Sequence, residues 1–326
     1  MKTNDVIGLG NALMDFLVEV DEEKLAEFGL QKGEMHLVEE AKAREVLAKV
    51  ESFHFETTPG GSSANTLKGV AVLGGKAILC GKVGMDKHGE SYVRDLNELG
   101  VSTRINKHDK TTGHCVSFVT PDAERTMSTH LGAALELYAE DIVEEDIAQS
   151  KVLHLEGYQI EGQTKGTVLH AIELAKRHGT LVSIDLADPG VIRRNKEFLQ
   201  SFVPSHTDIV FVNENEAFEF TGMQNEEAVR ELGKHCKVAI VKIGKEGSYV
   251  YNDNVMSKIS GYPANAIDTT GAGDSYAAGF LYAYCNDWPV DDAGRLGSLF
   301  ASKVVEQKGV GMNDINGEEL KRFVLK

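Results

Sequence analysis

Six short apolar runs, none alternating with polar residues, constrain this chain more than any other feature. They are Val6–Leu9, Ala77–Lys82, Val152–Leu155, Leu181–Asp185, Ile209–Asn213 and Val238–Ile243, rich in β-branched residues and poor in charge. A strand with one wet face alternates, so a run without alternation fits a strand covered on both faces. Between the runs lie amphipathic stretches, Ser63–Leu73, Gly89–Leu99, Gly166–Arg177 and Glu226–His235. This rhythm predicts an α/β fold: a central, mainly parallel sheet flanked by helices on both faces. Two regions break it. Phe16–Val20 leads into a charged region, Glu22–Phe55. Thr112–Thr120 and Arg125–His130 alternate on either side of the turn Pro121–Glu124. These pieces predict a small sheet with one wet face outside the main layer. There is no repeat, low-complexity tract or linker, and only 6 residues are proline. The expectation is therefore a single domain over 1–326, with a β-lid formed by about 16–55 and 112–130.

Charge excludes one class of partner. With 34 Lys+Arg against 50 Asp+Glu the net charge is -16, which does not suit a duplex nucleic acid, so no nucleic-acid partner is expected. A nucleotide can still be held by backbone N–H groups and a few local cations. The four cysteines, Cys80, Cys115, Cys236 and Cys285, form no C-x-x-C pair and read as reduced, mostly buried thiols. The longest apolar stretch, Ala277–Cys285, is too short for a bilayer that needs about 20 residues. The expectation is a cytoplasmic protein with no membrane partner. The acidic run Glu136–Glu145 is expected to be a solvated face. So is most of Glu22–Glu45, whose Leu25, Phe28, Leu30, Leu37 and Val38 are expected to close over a ligand.

Two glycine motifs carry the chemistry. Asp268-Thr-Thr-Gly271-Ala272-Gly273-Asp274 opens a largely apolar helix. Unpaired N–H groups at such a helix start attract anions, and glycines let the backbone approach closely. Asp274 would repel a bound phosphate unless its work is to take a proton from an attacking hydroxyl. The second motif, Gly60-Gly61-Ser-Ser-Ala-Asn65, opens another helix and aims Asn65 from its first turn. Other motifs fail. Gly157-x-x-x-x-Gly162-Gln163-Thr164 lacks the lysine of a P-loop. Gly8-Leu-Gly10 lacks a third glycine, Leu13 standing in its place, and no H-E-x-x-H occurs.

Taken together and in this order, the motifs resemble the paired signatures of the PfkB carbohydrate kinase family, which includes ribokinase. The first is GGSSANTLKGVAVLGGKAILCGKVGMDKHG, Gly60 to Gly89, and the second DTTGAGDSYAAGFL, Asp268 to Leu281. Within the family the chain is most similar to the adenosine kinase branch, through Gly8-Leu-Gly-Asn11-Ala-Leu-Met-Asp15, Arg125–Ala134 and Asn213-Glu-Asn-Glu216. The resemblance implies a ribokinase-like fold and transfer of the ATP γ-phosphate to a primary hydroxyl. A nucleoside is the acceptor it implies first, adenosine at its 5′-hydroxyl, with inosine or guanosine as variants. A sugar such as ribose or fructose is the alternative, and a catalytically silent nucleoside sensor the rival from another class. It also implies site roles. Asp274 matches the catalytic base, and Gly271, Ala272 and Gly273 the anion hole. Arg125 matches a lid arginine that approaches the transferred phosphoryl group. Asn11, Asp15, Gly60, Gly61 and Asn65 match acceptor contacts. Asn213 and Glu216 match a motif that organises Mg²⁺ through water, and Lys242, Gly244 and Gly247 lie by the ATP phosphates. Asp268 and Thr270 fall where some members hold a monovalent cation such as K⁺. Adenosine kinases often show two adjacent aromatics after a strand. Here that segment is Glu156-Gly-Tyr158-Gln159, which leaves Tyr158 to stack on a base. Partners are thus ATP and a small acceptor, and the chain is expected as a monomer or homodimer.

Overall fold

A computed structural model describes residues 2–122, 124–312 and 314–326. Its strands, in chain order, are β1 (Asn4–Leu9), β2 (Leu13–Glu19), β3 (Met35–Leu37), β4 (Phe55–Gly60), β5 (Ala77–Gly84), β6 (Ser102–His108), β7 (Gly113–Val119) and β8 (Arg125–His130). They continue as β9 (Ser150–Glu156), β10 (Leu181–Asp185), β11 (Ile209–Asn213), β12 (Val238–Lys242), β13 (Gly247–Asn252) and β14 (Val255–Ser260). All six apolar runs are strands of one nine-stranded sheet, ordered β14-β13-β12-β11-β10-β9-β1-β5-β6. Pairing is parallel from β12 to β6, and β13 and β14 close one edge as an antiparallel hairpin.

The missing alternation has the cause inferred for it. Successive residues of a strand point to opposite faces, and here both faces are covered. Ile209 and Phe211 enter the core shared with helices Ala272–Cys285 and Val290–Val304. Val210 and Val212 enter a second core with helix Thr164–Arg177. All four are fully buried. Each such side chain stabilises the fold by about 1.5–3 kcal/mol relative to exposure.

The out-of-rhythm segments form the second sheet, ordered β3-β8-β7-β2-β4. β2 alternates as expected, with Met14, Phe16 and Val18 buried and the residues between them more open. β7 departs from the expected wet face, because it is the central strand of the five and only Cys115 and Val119 fall short of full burial. The turn Pro121–Glu124 includes Ala123, which lies outside the described residues. Two further expectations need correction. Leu25 and Phe28 do not face a ligand: they are buried in this sheet's own core, where the Phe28 and Phe118 rings lie 4.3 Å apart. Glu136–Glu145 is not wholly solvated. Glu136 is buried against Lys110 and Tyr138, and Asp141 against Lys82 at 2.6 Å and Asn106 at 2.8 Å. Paired cations make these burials tolerable. All four cysteines are free thiols. No helix is long and apolar enough to cross a membrane among the described residues.

Candidate active site

Four neighbouring strands end in a polar residue: Glu156 on β9, Asp185 on β10, Asn213 on β11 and Lys242 on β12. Register places Glu156 beside Asp185 and Asn213 beside Lys242. Open parallel sheets take their ligands at this carboxyl edge.

Asp274 stands in the first turn of the Ala272–Cys285 helix, above that edge. Gly271 caps the helix at φ 72°, a left-handed conformation glycine adopts without strain. The Ala272 N–H turns back to Thr269 O at 3.2 Å. The N–H groups of Gly273 and Asp274 have no partner among the described residues, so they carry the anion-binding capacity of this helix start. The Asp274 carboxylate is held from the other motif. Ser62 Oγ donates to its Oδ1 at 2.7 Å, and Asn65 Nδ2 to its Oδ2 at 2.9 Å. Burial raises the Asp274 pKa, while these two hydrogen bonds oppose the rise. Asn65 Oδ1 is buried without a partner. A carboxylate with an unpaired carbonyl oxygen beside it suits an incoming hydroxyl.

The acceptor end is built on the turn from β4 into helix Ser62–Val72. Gly61 has φ 95°, and a Cβ there would lie 2.2 Å from Asn11 O. No other residue meets both conditions without strain. Asp15 on β2 lies against Gly60, where a Cβ would be 2.1 Å from its Oδ2. Burial pushes the Asp15 carboxyl up to about 6, with Lys68 and then Arg125 pulling it down. Glu156 accepts from Asn11 N at 3.2 Å and Ser63 N at 2.8 Å, so it ties the loop after β1 to the start of this helix. Burial lifts its carboxyl to about 7. Tyr158 stands apart: it lies on the single turn Gly157–Ile160, 40% exposed, and makes no hydrogen bond to the acceptor-end residues among those described.

The nucleotide side is a cavity of about 720 Å³ that gathers Asn213, Lys242, Gly244 and Gly247 with Ala272 and Gly273. Glu216 and Asn213 cap the β11–helix junction reciprocally. Asn213 N donates to Glu216 Oε2 at 2.8 Å, and Glu216 N to Asn213 Oδ1 at 2.9 Å. Burial and the Asp185 carboxylate push Glu216 up to about 7. Lys242 donates to Asp185 at 2.6 Å. Burial acts to lower the Lys242 pKa, but Asp185 and Glu216 prevail and raise it. Lys242 pairs with Asp185, and Glu216 is held by Asn213, so a hydrated divalent cation such as Mg²⁺ would be held here through water by Glu216 and Asp185.

The donor set around Asp268 is different. Its Oδ1 accepts from Thr270 N at 2.9 Å and Thr270 Oγ1 at 2.7 Å, and its Oδ2 from Gly309 N at 2.8 Å. Arg125 Nη1, from β8 of the small sheet, reaches both oxygens at 2.8 and 2.9 Å and also Thr270 Oγ1. Burial acts to raise the Asp268 pKa, but these donors hold it below the usual range. The carboxylate already has its cation in Arg125. A monovalent ion does not fit there while Arg125 is seated, and Arg125 stands on Asp268 rather than at the Gly273 amide.

Sequence reasoning passed over Ser62, Lys68, Glu156 and Asp185 as functional residues. A signal was present for two of them, since Glu156 and Asp185 each close an apolar run. A ligand crevice at the sheet's carboxyl edge, a glycine-opened helix aimed into it and a held carboxylate suit phosphoryl transfer. Residues 28–315 match the pfkB family carbohydrate kinase model, and the chain belongs to that family. It is a kinase, and membership brings with it the use of ATP with a divalent metal. The chain is 31% identical over 272 residues to a 5-dehydro-2-deoxygluconokinase of Geobacillus kaustophilus (strain HTA426), covering 78% of this chain and 81% of that one. A probable sugar kinase from Rhizobium etli CFN 42 superposes with TM-score 0.91 at 31% identity, covering both chains fully. An adenosine kinase from Sinorhizobium meliloti superposes with TM-score 0.88 at 33% identity, covering 98% of this chain and 99% of that one.

Proposed function

We propose that this kinase moves the ATP γ-phosphoryl group to a primary hydroxyl of a sugar. The observation that carries this reading is the Asp274 carboxylate, held between Ser62 and Asn65 at a glycine-opened helix start. Asp274 takes the hydroxyl proton as the acceptor oxygen attacks, and burial has moved it towards a value suited to that work. The Gly273 and Asp274 amides face the transferred charge. Asp15 accepts from vicinal hydroxyls, and Asn65 Oδ1 from one more. Glu216 would hold Mg²⁺ through water, and the ion would neutralise phosphate charge. The small sheet serves as a lid over the acceptor, which excludes water from the transfer.

A sugar is placed ahead of adenosine because the curated relative and the full-length structural neighbour are named for sugar chemistry. The likeness to the Sinorhizobium meliloti enzyme supports nucleoside phosphorylation as the second reading. A screen of ketoses, aldoses, sugar acids and nucleosides with ATP and Mg²⁺, read by ADP release and ³¹P NMR of the product, tests it. The expected result is a sugar phosphorylated at a primary hydroxyl with kcat/KM above that of adenosine. Adenosine as the best acceptor, or no sugar turned over, overturns it in favour of the nucleoside.

A further inference from the structure

Lys68 has entered so far only as a charge near Asp15, yet it is 1% exposed and carries an ammonium group. A buried ammonium is costly unless opposite charge or hydrogen bonds compensate it. It lies three residues beyond Asn65 and seven beyond Gly61, on the helix face turned to the acceptor end. Its Nζ reaches back nine residues to Pro59 O at 2.6 Å, the only acceptor it has among the described residues. An ammonium has three N–H bonds, so this contact leaves most of its capacity unused. Pro59 precedes Gly60, against which the Asp15 carboxylate rests, and β4 pairs with β2 there, Pro59 with Met14 and Gly60 with Leu13.

We propose that Lys68 is a positioning residue for Asp15: buried beneath the acceptor end, it holds Pro59 O and so fixes the Pro59–Gly60 turn on which the Asp15 carboxylate rests. The proposal rests on the reading of Asp15 as an acceptor contact. The charged and titratable groups facing Asp15 are Lys68 from its helix, Arg125 from β8, Asp274 from the second glycine motif, Tyr92 from helix Lys87–Glu98 and Cys115 from β7. Of the cations, Lys68 acts on it most strongly. Burial draws the Lys68 pKa down to about 8, while Asp15 and Asp274 hold it up.

The test compares wild type, Lys68→Met and Lys68→Arg across pH with the acceptor found by the screen. An opposite charge moves a carboxyl by about 1–3 units, so Lys68→Met should shift the acid limb of kcat/KM upward by at least about one pH unit. It should raise the acceptor KM roughly 10-fold or more with the ATP KM unchanged, and Lys68→Arg should return the limb towards wild type. An unshifted limb with unchanged acceptor KM overturns the proposal, as does equal damage from both variants, which marks mere packing. Where Lys68→Met does not fold, the double variant Lys68→Met/Asp15→Asn decides. A regained fold supports the pairing, because both charges are gone, and a double variant as unfolded as the single overturns it. Failure of the wild type to phosphorylate any acceptor is a failure of the underlying reading, and is seen before any variant is made.

Discussion

The two sheets differ in how they are covered, and so in what they do. In the nine-stranded sheet the inner strands are buried on both faces, and their polar ends hold Asn213, Lys242, Asp185 and Glu156 in a fixed row. In the five-stranded sheet only alternate residues of β2 are fully buried; Asp15, between them, keeps some surface exposure although its carboxyl is buried enough to be pushed up. The edge strand β3 of this sheet leaves Met35 52% and Leu37 65% exposed, whereas inside the main sheet Ile209, Val210, Phe211 and Val212 are fully buried. The larger sheet fixes geometry by packing density. The smaller one shares a continuous apolar core with the helices of the larger and is pinned besides by Arg125 on Asp268. On the proposed function, phosphate chemistry needs the first kind of scaffold, and admission of an acceptor the second.

The largest expected effect lies where the two glycine-opened helices meet. Asp274→Asn keeps shape and removes proton acceptance, so kcat should fall about 10²–10⁴-fold with ATP affinity little changed. Steady-state kinetics and ATP titration check this, and retention of more than about a tenth of kcat would sink the base assignment.

Asn65→Ala comes next. It removes one hydrogen bond to the carboxylate and leaves Ser62 in place. A bond to a charged group is worth about 1.5–3 kcal/mol, so kcat should drop roughly 10–10²-fold, less than for Asp274→Asn. An equal or larger loss would mean that Asn65 does more than hold the base.

The third contrast is in pH. The Asp15 carboxyl sits at about 6 in the fold because of burial, against an ordinary value of 3.8. A raised folded value favours folding in acid, fully below about 4, and that contribution is lost as pH rises through about 6. Activity runs the other way, since accepting hydroxyls needs the ionised form. kcat/KM should therefore climb through about pH 6, and Asp15→Asn should remove that rise. A rise that persists in Asp15→Asn assigns it to another group.

The smallest effect tests whether any contact to the small sheet matters or only buried ones. Lys308 pairs with Glu19 of β2 at 2.6 Å, with side chains 65% and 71% exposed. Exposed pairs contribute about 0–1 kcal/mol, so Lys308→Ala should leave Tm and kinetics nearly unchanged, while Arg125→Met should speed hydrogen exchange across β8. Equal effects from the two would erase the distinction.

The same contrast decided what was legible in the sequence. Runs such as Ile209–Asn213 were readable because double-sided burial leaves no polar position inside them. The hairpin β13–β14 and strand β6 were not, because Ser102–His108 and Val255–Ser260 are edge strands with exposed polar residues, and nothing local separates them from loops. The motifs named Asp274, Gly61 and Asn65, and the structure brings Asn65 onto Asp274, because glycine at a helix start has a local cause. Lys68 had none. A lysine inside a helical pattern reads as solvated, and only the tertiary fold buries it beside Asp15. Arg125 was named from its motif, but its seat on Asp268 was not legible, since Arg125 lies on β8 and Asp268 in the loop before helix Ala272–Cys285, far apart in the chain.

That the small sheet reads the acceptor through Asp15 is tested most directly by one ratio. It is kcat/KM for the best acceptor over kcat/KM for its analogue lacking the hydroxyl vicinal to the one Asp15 holds, measured in wild type and in Asp15→Asn. The expected ratio is roughly 10–10² in wild type, the worth of one hydrogen bond to a charged group, falling towards one in the variant. A ratio that stays the same in both proteins contradicts the assignment and leaves Asn11 and Asn65 to read the acceptor.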